Sequence, residues 1–307
     1  LATAILAGNS FAEDHRVTAA IDGFHPEVIR AAPGETVTWR YNQWNGGVLV
    51  VSGEPCTADG RFEFNLYGGP FGNYEGTWEI PADSAYGVVP YFNDALCKDG
   101  VTGVVRIIEL HEVPSEYPTI QSALDAAAEY DVISIAPGTY HETDIRPGLP
   151  NIRIQGALDD EGLPAVFLGP EPGTVSAPSI ITIDGVEGIE LESIHFTGGR
   201  ANSGGAIAVD SGSIAIRDCR FTDNTALTGG CLSAIDAAIV IEECTFDGNA
   251  ADDGGCVYID ACDATVTGSR MTNNVAEVGG AMSSRVGTII IDDCWFGTNT
   301  ASSIGGA

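Results

Sequence analysis

Along the last third of the chain, apolar and polar positions alternate in short stretches. Ile214 and Ile216 recur as Ile239 and Ile241, then as Ala264 and Val266, then as Ile289 and Ile291. A period of two marks a strand, because successive side chains point to opposite faces. These stretches recur at a fixed step. Phe196, Phe221, Phe246, Met271 and Phe296 follow one another every 25 residues, and from Phe221 onward each is followed three residues later by an asparagine: Asn224, Asn249, Asn274 and Asn299. The pairs Gly204-Gly205, Gly229-Gly230, Gly254-Gly255 and Gly279-Gly280 keep the same step. Such units are too short for helix pairs. They predict a parallel β-helix, in which each coil buries its face only against its neighbours. Equivalent residues would then lie about 4.8 Å apart. The phenylalanines, with Met271 on one rung, would form an interior ladder. The asparagines would form a turn ladder through their side-chain amides, and the glycines would permit a sharp corner.

One helical stripe precedes this region. Ile120, Leu124 and Ala127 or Ala128 share a face, and Thr119 after Pro118 is a suitable N-cap, so a helix is expected over 120–130. Its expected place is over the open first coil, where strand edges would otherwise be bare. Residues 13–109 read as strands (Val17–Ile21, Thr36–Tyr41, Val48–Val51, Val104–Ile108) separated by Gly, Pro, Asn and Asp. The expected organisation is a first domain over 13–109, a linker over 110–117 and the β-helix over 118–307. Residues 1–12 are apolar and end in Ser-Phe-Ala, which resembles the tail of a secretory signal peptide. The chain stops inside a repeat at Gly305-Gly306-Ala307, so a fragment of a longer exported protein is expected.

Three stretches carry family resemblances. Phe221 to Asn224 followed by Gly229-Gly230-Cys231 resembles the polymorphic-outer-membrane-protein type of repeat. Pro118-Thr119-Ile120-Gln121-Ser122-Ala123 through Ala136-Pro137-Gly138-Thr139-Tyr140 is similar to the opening of pectin-lyase-like right-handed β-helices. In the first domain, Phe24-His25-Pro26-Glu27-Val28-Ile29, Pro33-Gly34-Glu35-Thr36-Val37-Thr38-Trp39, Pro90-Tyr91-Phe92 and Gly100-Val101-Thr102-Gly103-Val104 resemble the cupredoxin (plastocyanin-like) family. The fold these imply is all-β: a Greek-key β-sandwich followed by a right-handed parallel β-helix with one capping helix.

The cupredoxin family holds copper with His, Cys, His and a weak axial Met. Carried onto this chain, those positions hold Val48, Asn93, Leu96 and Val101. All four ligand types are missing, so no copper centre is expected. The resemblance also places the loop after the Val48 strand near the loop holding Cys97. A disulfide between Cys56 and Cys97 is therefore expected, as suits an exported β domain.

Charge narrows the partners. The chain carries 43 acidic and 13 basic residues, a formal net charge of −30, and Lys98 is its one lysine. Such a surface repels nucleic acid and anionic membrane, and disfavours acidic polysaccharides unless Ca²⁺ bridges them. It also points to a salty environment, where screening removes self-repulsion. Acidic runs at Asp159-Asp160-Glu161 and Asp252-Asp253 are the candidates for Ca²⁺; no other cofactor is expected.

Six cysteines fall in the repeats. Cys219 and Cys244 are equivalent, as are Cys231 and Cys256; Cys262 and Cys294 complete the set. No Cys-x-x-Cys spacing points to metal. Inter-coil disulfides are allowed by the coil spacing, but a ladder of small buried residues, with Ser269 and Ala281 on matching rungs, is the preferred reading.

Lyases of this fold that act on uronates use an Arg or Lys base. Residues 118–307 contain no lysine, and Arg217 and Arg220 are followed one coil later by Glu242 and Thr245. Asp292-Asp293-Cys294 is similar to the Asp-Asp of polygalacturonases, but Cys294 shares the rung of Cys219 and Cys244, and Asp293 that of Asp218 and Glu243. His195, between Ile194 and Phe196, is expected to point outward. Of the sandwich aromatics, Trp39 fits the core and Trp44 is the candidate carbohydrate platform. The sequence thus points to an exported, non-catalytic surface or extracellular protein engaged in adhesion or polysaccharide binding. Polysaccharide or cell-surface components are its expected partners, and no membrane span is expected in this fragment. The alternative is a polysaccharide lyase or glycoside hydrolase whose site lies on the β-helix or in later coils.

Overall fold

The structure is a computed structural model, and it describes residues 14–20, 23–25, 28–41, 47–67, 75–82, 84, 87–93, 102–159, 161–170 and 177–305. The apolar segment 1–12 lies outside these. The chain divides into two units, Leu1–Glu109 and Leu110–Ala307.

In the first unit the described strands form two sheets. One orders the strands Gly23–His25, Asp14–Ala20, Thr36–Tyr41 and Glu75–Glu79; the other orders Val28–Ala31, Thr102–Ile107, Gly87–Asn93, Gly47–Glu54 and Thr57–Tyr67. The alternating residues Val37, Trp39 and Tyr41 of one strand all point into the interior. There Trp39 lies 4.7 Å from the ring of Phe62 and 5.2 Å from that of Tyr91. Gly103 is required at its position, because a Cβ there would stand 2.5 Å from the Tyr91 hydroxyl oxygen. The two sheets close on this aromatic core as a β-sandwich.

The second unit is a right-handed parallel β-helix. One sheet stacks Leu110–Val113, Val132–Ile135, Arg153–Gly156, Ile181–Glu192, Ile207–Arg217 and Leu232–Glu242. It then continues as two shorter rows, Val257–Asp260 with Met282–Ser284 and Cys262–Thr267 with Gly287–Asp292. A second sheet stacks Thr139–Tyr140, Ala165–Leu168, Ile194–Thr197, Arg220–Thr222, Thr245–Asp247, Arg270–Thr272 and Trp295–Gly297. All these pairings are parallel, and between the regular coils the register advances by one repeat, as in Phe196 to Phe221 to Phe246 to Met271 to Phe296. Leu110–Val113 pairs with Val132–Ile135, so these four residues are the first strand of the solenoid rather than part of a linker.

Both ladders form as the spacing predicts. The rings of Phe196, Phe221 and Phe246 are fully buried and stacked, with centroids 5.1 and 4.8 Å apart. Met271 fills the next buried rung, and Phe296 is half-buried at the following one. Phe167 adds a rung on the other side, edge-on to Phe196 at 5.2 Å. In the turn, Asn224 Nδ2 donates to Asn249 Oδ1, Asn249 Nδ2 to Asn274 Oδ1, and Asn274 Nδ2 to Asn299 Oδ1, each at 3.0 Å. Each amide also donates back to the carbonyl of a residue on the aromatic ladder, Asn224 to Phe196 and Asn249 to Phe221. Both side-chain amide protons of Asn224, Asn249 and Asn274 are therefore used, as burial demands. Gly230 marks the sharp corner, where a Cβ would run into the Gly255 carbonyl of the next coil.

The helix is shorter than the stripe predicts. It spans Ile120–Ala126, with Thr119 as N-cap in a reciprocal capping box with Ser122. It stops because Ala127 turns to extended backbone and the Asp131 carboxylate takes the Ala128 N–H at 2.7 Å. Ile120, Ala123 and Leu124 face the interior and join the first-coil core. Asp131 also accepts from His111 Nε2 at 3.0 Å, and both residues are buried.

Candidate functional site

Four positions stand where the cupredoxin resemblance places the copper ligands. Val48 is part of the sandwich core and Asn93 is buried beside it; Leu96 and Val101 lie outside the described residues. Valine offers no lone pair, so the donor set does not fit copper. Cys56 sits in a tight turn at a φ of 60° and is not a free thiol. Cys97, its expected partner, lies outside the described residues, as does Trp44. Trp39 is buried in the core, and Trp78 packs 5.0 Å from Phe62.

The six cysteines of the β-helix are free thiols, and all but Cys294 are buried. The Cys231 thiol donates to the Cys256 carbonyl at 2.9 Å, and the Cys256 thiol to the Ala281 carbonyl at 3.0 Å. Burial pushes the Cys219 and Cys231 thiols well up, and the Cys244 thiol up to about 12. Protonated thiols of this kind are neither nucleophiles nor metal ligands. They are small interior side chains, matched by Ser269 and Ala281 on the next rungs.

Arg217 and several of the carboxylates that an enzyme reading would use are engaged in the architecture. Arg217 Nε is 2.6 Å from Glu242 and its Nη1 is 4.0 Å from Glu190, which Arg153 also holds at 2.9 Å. These are links between coils on the long sheet. Asp218, Glu243 and Asp293 occupy one left-handed corner, with φ of 49°, 55° and 49°. The Asp-Asp-Cys likeness is thus the corner and inward rung of the ordinary repeat. At Asp159, one oxygen caps its own turn by accepting from the Glu161 and Leu163 N–H groups. Asp253 pairs with Arg285 at 3.3 Å. The acidic loops expected as Ca²⁺ candidates are thus partly occupied by protein donors.

A different set of side chains lies together on the outer face of the short-strand sheet. His195, Arg220, Thr245, Arg270 and Trp295 are register partners on successive coils. Thr197, Thr222, Asp247, Thr272 and Gly297 form the parallel row two residues on. His195 is half-buried rather than fully outward, and its Nε2 lies 2.8 Å from the Thr222 hydroxyl. That hydroxyl itself donates to Thr197 at 3.0 Å, so the imidazole supplies the proton from Nε2 and keeps Nδ1 as an acceptor. Burial and the nearby Arg220 lower the His195 pKa. Asp247 is held below the usual carboxylate range by hydrogen bonds from Asn273 and Thr272, with Arg220 and Arg270 contributing through space. Arg220 and Arg270 are exposed and make no ion pair or side-chain hydrogen bond with the described residues. Sequence spacing missed this row because Thr245 interrupts it: the basic residues recur every second coil.

Residues 179–306 match the family model described as "Right handed beta helix region". No curated protein matches the chain. Among solved structures, a pectin methylesterase from Aspergillus niger is similar over 65% of this chain and 86% of its own, with 14% identity and a TM-score of 0.36. A pseudoazurin from Sinorhizobium meliltoi is similar over 31% of this chain and 74% of its own, with 26% identity and a TM-score of 0.23. No described helix is long and apolar enough to cross a membrane.

Proposed function

We propose that this is an exported surface or extracellular protein that binds polysaccharide without cleaving it, with a cupredoxin-like sandwich that has no copper role. The observation that carries the non-catalytic reading is Arg217. It is one of the two arginines that come nearest to a cluster in the repeats, and it lies between Glu190 and Glu242 of the neighbouring coils. A guanidinium so paired is a poor proton acceptor and is not aimed at a substrate. The corner carboxylates Asp218, Glu243 and Asp293 are placed by backbone geometry and repeat along the solenoid. Repetition suits binding by many shallow contacts, each weak and collectively retentive.

The test is incubation of the protein with neutral and acidic polysaccharides, with and without Ca²⁺, reading both retention and new reducing or unsaturated ends. Retention without new ends is expected. Turnover of any polymer that disappears in Arg217→Ala, Arg220→Ala or Asp293→Ala would establish the enzyme instead.

A further inference from the structure

We infer that the row His195, Arg220, Thr245, Arg270 and Trp295 is a binding strip for an uncharged, hydroxyl-rich glycan laid along the solenoid axis. The inference rests on the carbohydrate-binding reading and gives it a place and a ligand class.

The five residues are consecutive register partners, so four coil steps of about 4.8 Å set them over about 19 Å. A linear chain running along that axis passes one of these side chains in every coil. Trp295, the register partner of Arg270, has 60% of its surface exposed. A tryptophan on an outward sheet position gains nothing from the core and presents a flat apolar face, the surface a sugar ring's C–H face covers.

In a chain with 43 acidic and 13 basic residues, an unpaired arginine is the exception. Arg220 and Arg270 are two such, in one row and two coils apart. Each offers a planar fork of donors. Thr245 between them adds a hydroxyl. His195 offers Nδ1 as an acceptor, because its Nε2–H is committed to Thr222. Asp247, in the adjoining row, accepts from Thr272 and Asn273 through Oδ1 and makes no hydrogen bond through Oδ2 among the described residues. Vicinal sugar hydroxyls need this mixture, since each both donates and accepts.

Charge decides the ligand class. Asp247 lies within reach of both guanidinium charges and offsets them locally, and the molecule as a whole is strongly negative. An anionic polymer would meet a balanced strip inside a repelling field. An uncharged glycan meets no such opposition.

The experiment is affinity electrophoresis of the protein in gels containing β-glucan, mannan, xylan, galactan or polygalacturonate. At least one neutral polymer should retard the protein. Arg270→Ala and Trp295→Ala should each weaken that retardation tenfold or more. Thr245→Glu should do the same, because a carboxylate between the two arginines would pair with them. Arg200→Ala, an exposed arginine off the row, should leave it unchanged. All four sites are surface positions, and unchanged thermal unfolding verifies the fold. Retardation by neutral polymers that survives all three row substitutions overturns the strip while leaving carbohydrate binding intact. Retardation by polygalacturonate alone overturns the ligand class. No retardation in any gel overturns both the strip and the reading on which it rests.

Discussion

Asn224 and Asn249 are joined twice across one coil boundary: Asn249 Oδ1 accepts from both the backbone N–H and the side-chain Nδ2 of Asn224, each at 3.0 Å. Asn249 repeats the pattern onto Asn274. One amide side chain therefore satisfies donors in the coil before it while donating to the coil after it.

Asn249→Ala strands two buried donors on Asn224. An unsatisfied buried group costs about 1–3 kcal/mol, so a loss of roughly 2–5 kcal/mol is expected. Asn299→Ala, at the half-buried end of the ladder, should cost less. Chemical denaturation of the two variants checks the order. Equal losses would show that the ladder is not what holds these turns.

His195 should titrate below the ordinary 6.5, first because it is half-buried and then because Arg220 is near. The folded state thus binds fewer protons at this site than the unfolded chain. Its contribution to stability is present above the unfolded pKa and is lost as pH falls through the lowered folded value. An NMR titration of the imidazole gives the midpoint, and Arg220→Ala should move it upward. A midpoint at or above 6.5 would refute the described environment.

Thiol chemistry should separate the cysteines. With the Cys244 thiol pushed up to about 12 and its neighbours buried, alkylation at pH 8 should modify the half-exposed Cys294 first and spare Cys219, Cys231, Cys244, Cys256 and Cys262 until the protein unfolds. In the sandwich, unreduced peptide mapping should recover Cys56 linked to Cys97. Mass spectrometry reads both outcomes, and labelling of Cys97 in the folded, oxidised protein would contradict the second.

Salt should stabilise the fold. A net charge of −30 repels itself, and ions screen that repulsion over about 8 Å at physiological strength. The thermal midpoint is expected to rise from low salt to seawater-like NaCl. A flat or falling midpoint would remove self-repulsion as a controlling factor.

Where the repeat is strict, the sequence was a sufficient guide. Phe221 and Asn224 could be placed on their ladders because every later coil restates them. Phe167 could not, because the coil between it and Phe196 is longer than the repeat and the spacing signal breaks. The helix end was illegible for another reason: the stripe continues past Ala126, and only the fold brings the Asp131 carboxylate to the Ala128 N–H. The fate of Arg217 depended on register as well. Its partner Glu242 is the residue whose presence one coil later had counted only as an interruption of a basic row. The strip from His195 to Trp295 needed the same information, because alternate-coil recurrence has no signature in a comparison of adjacent coils.

The constant step between Phe196 and Phe296 has a consequence for how such a molecule can change. Each of these coils meets its neighbours in the same register, so a block of 25 residues inserted or removed in phase keeps that register at the remaining junctions. Length is then a free variable of the design. Evolution can set the reach of this body by copying or deleting whole turns, without inventing a new interface each time.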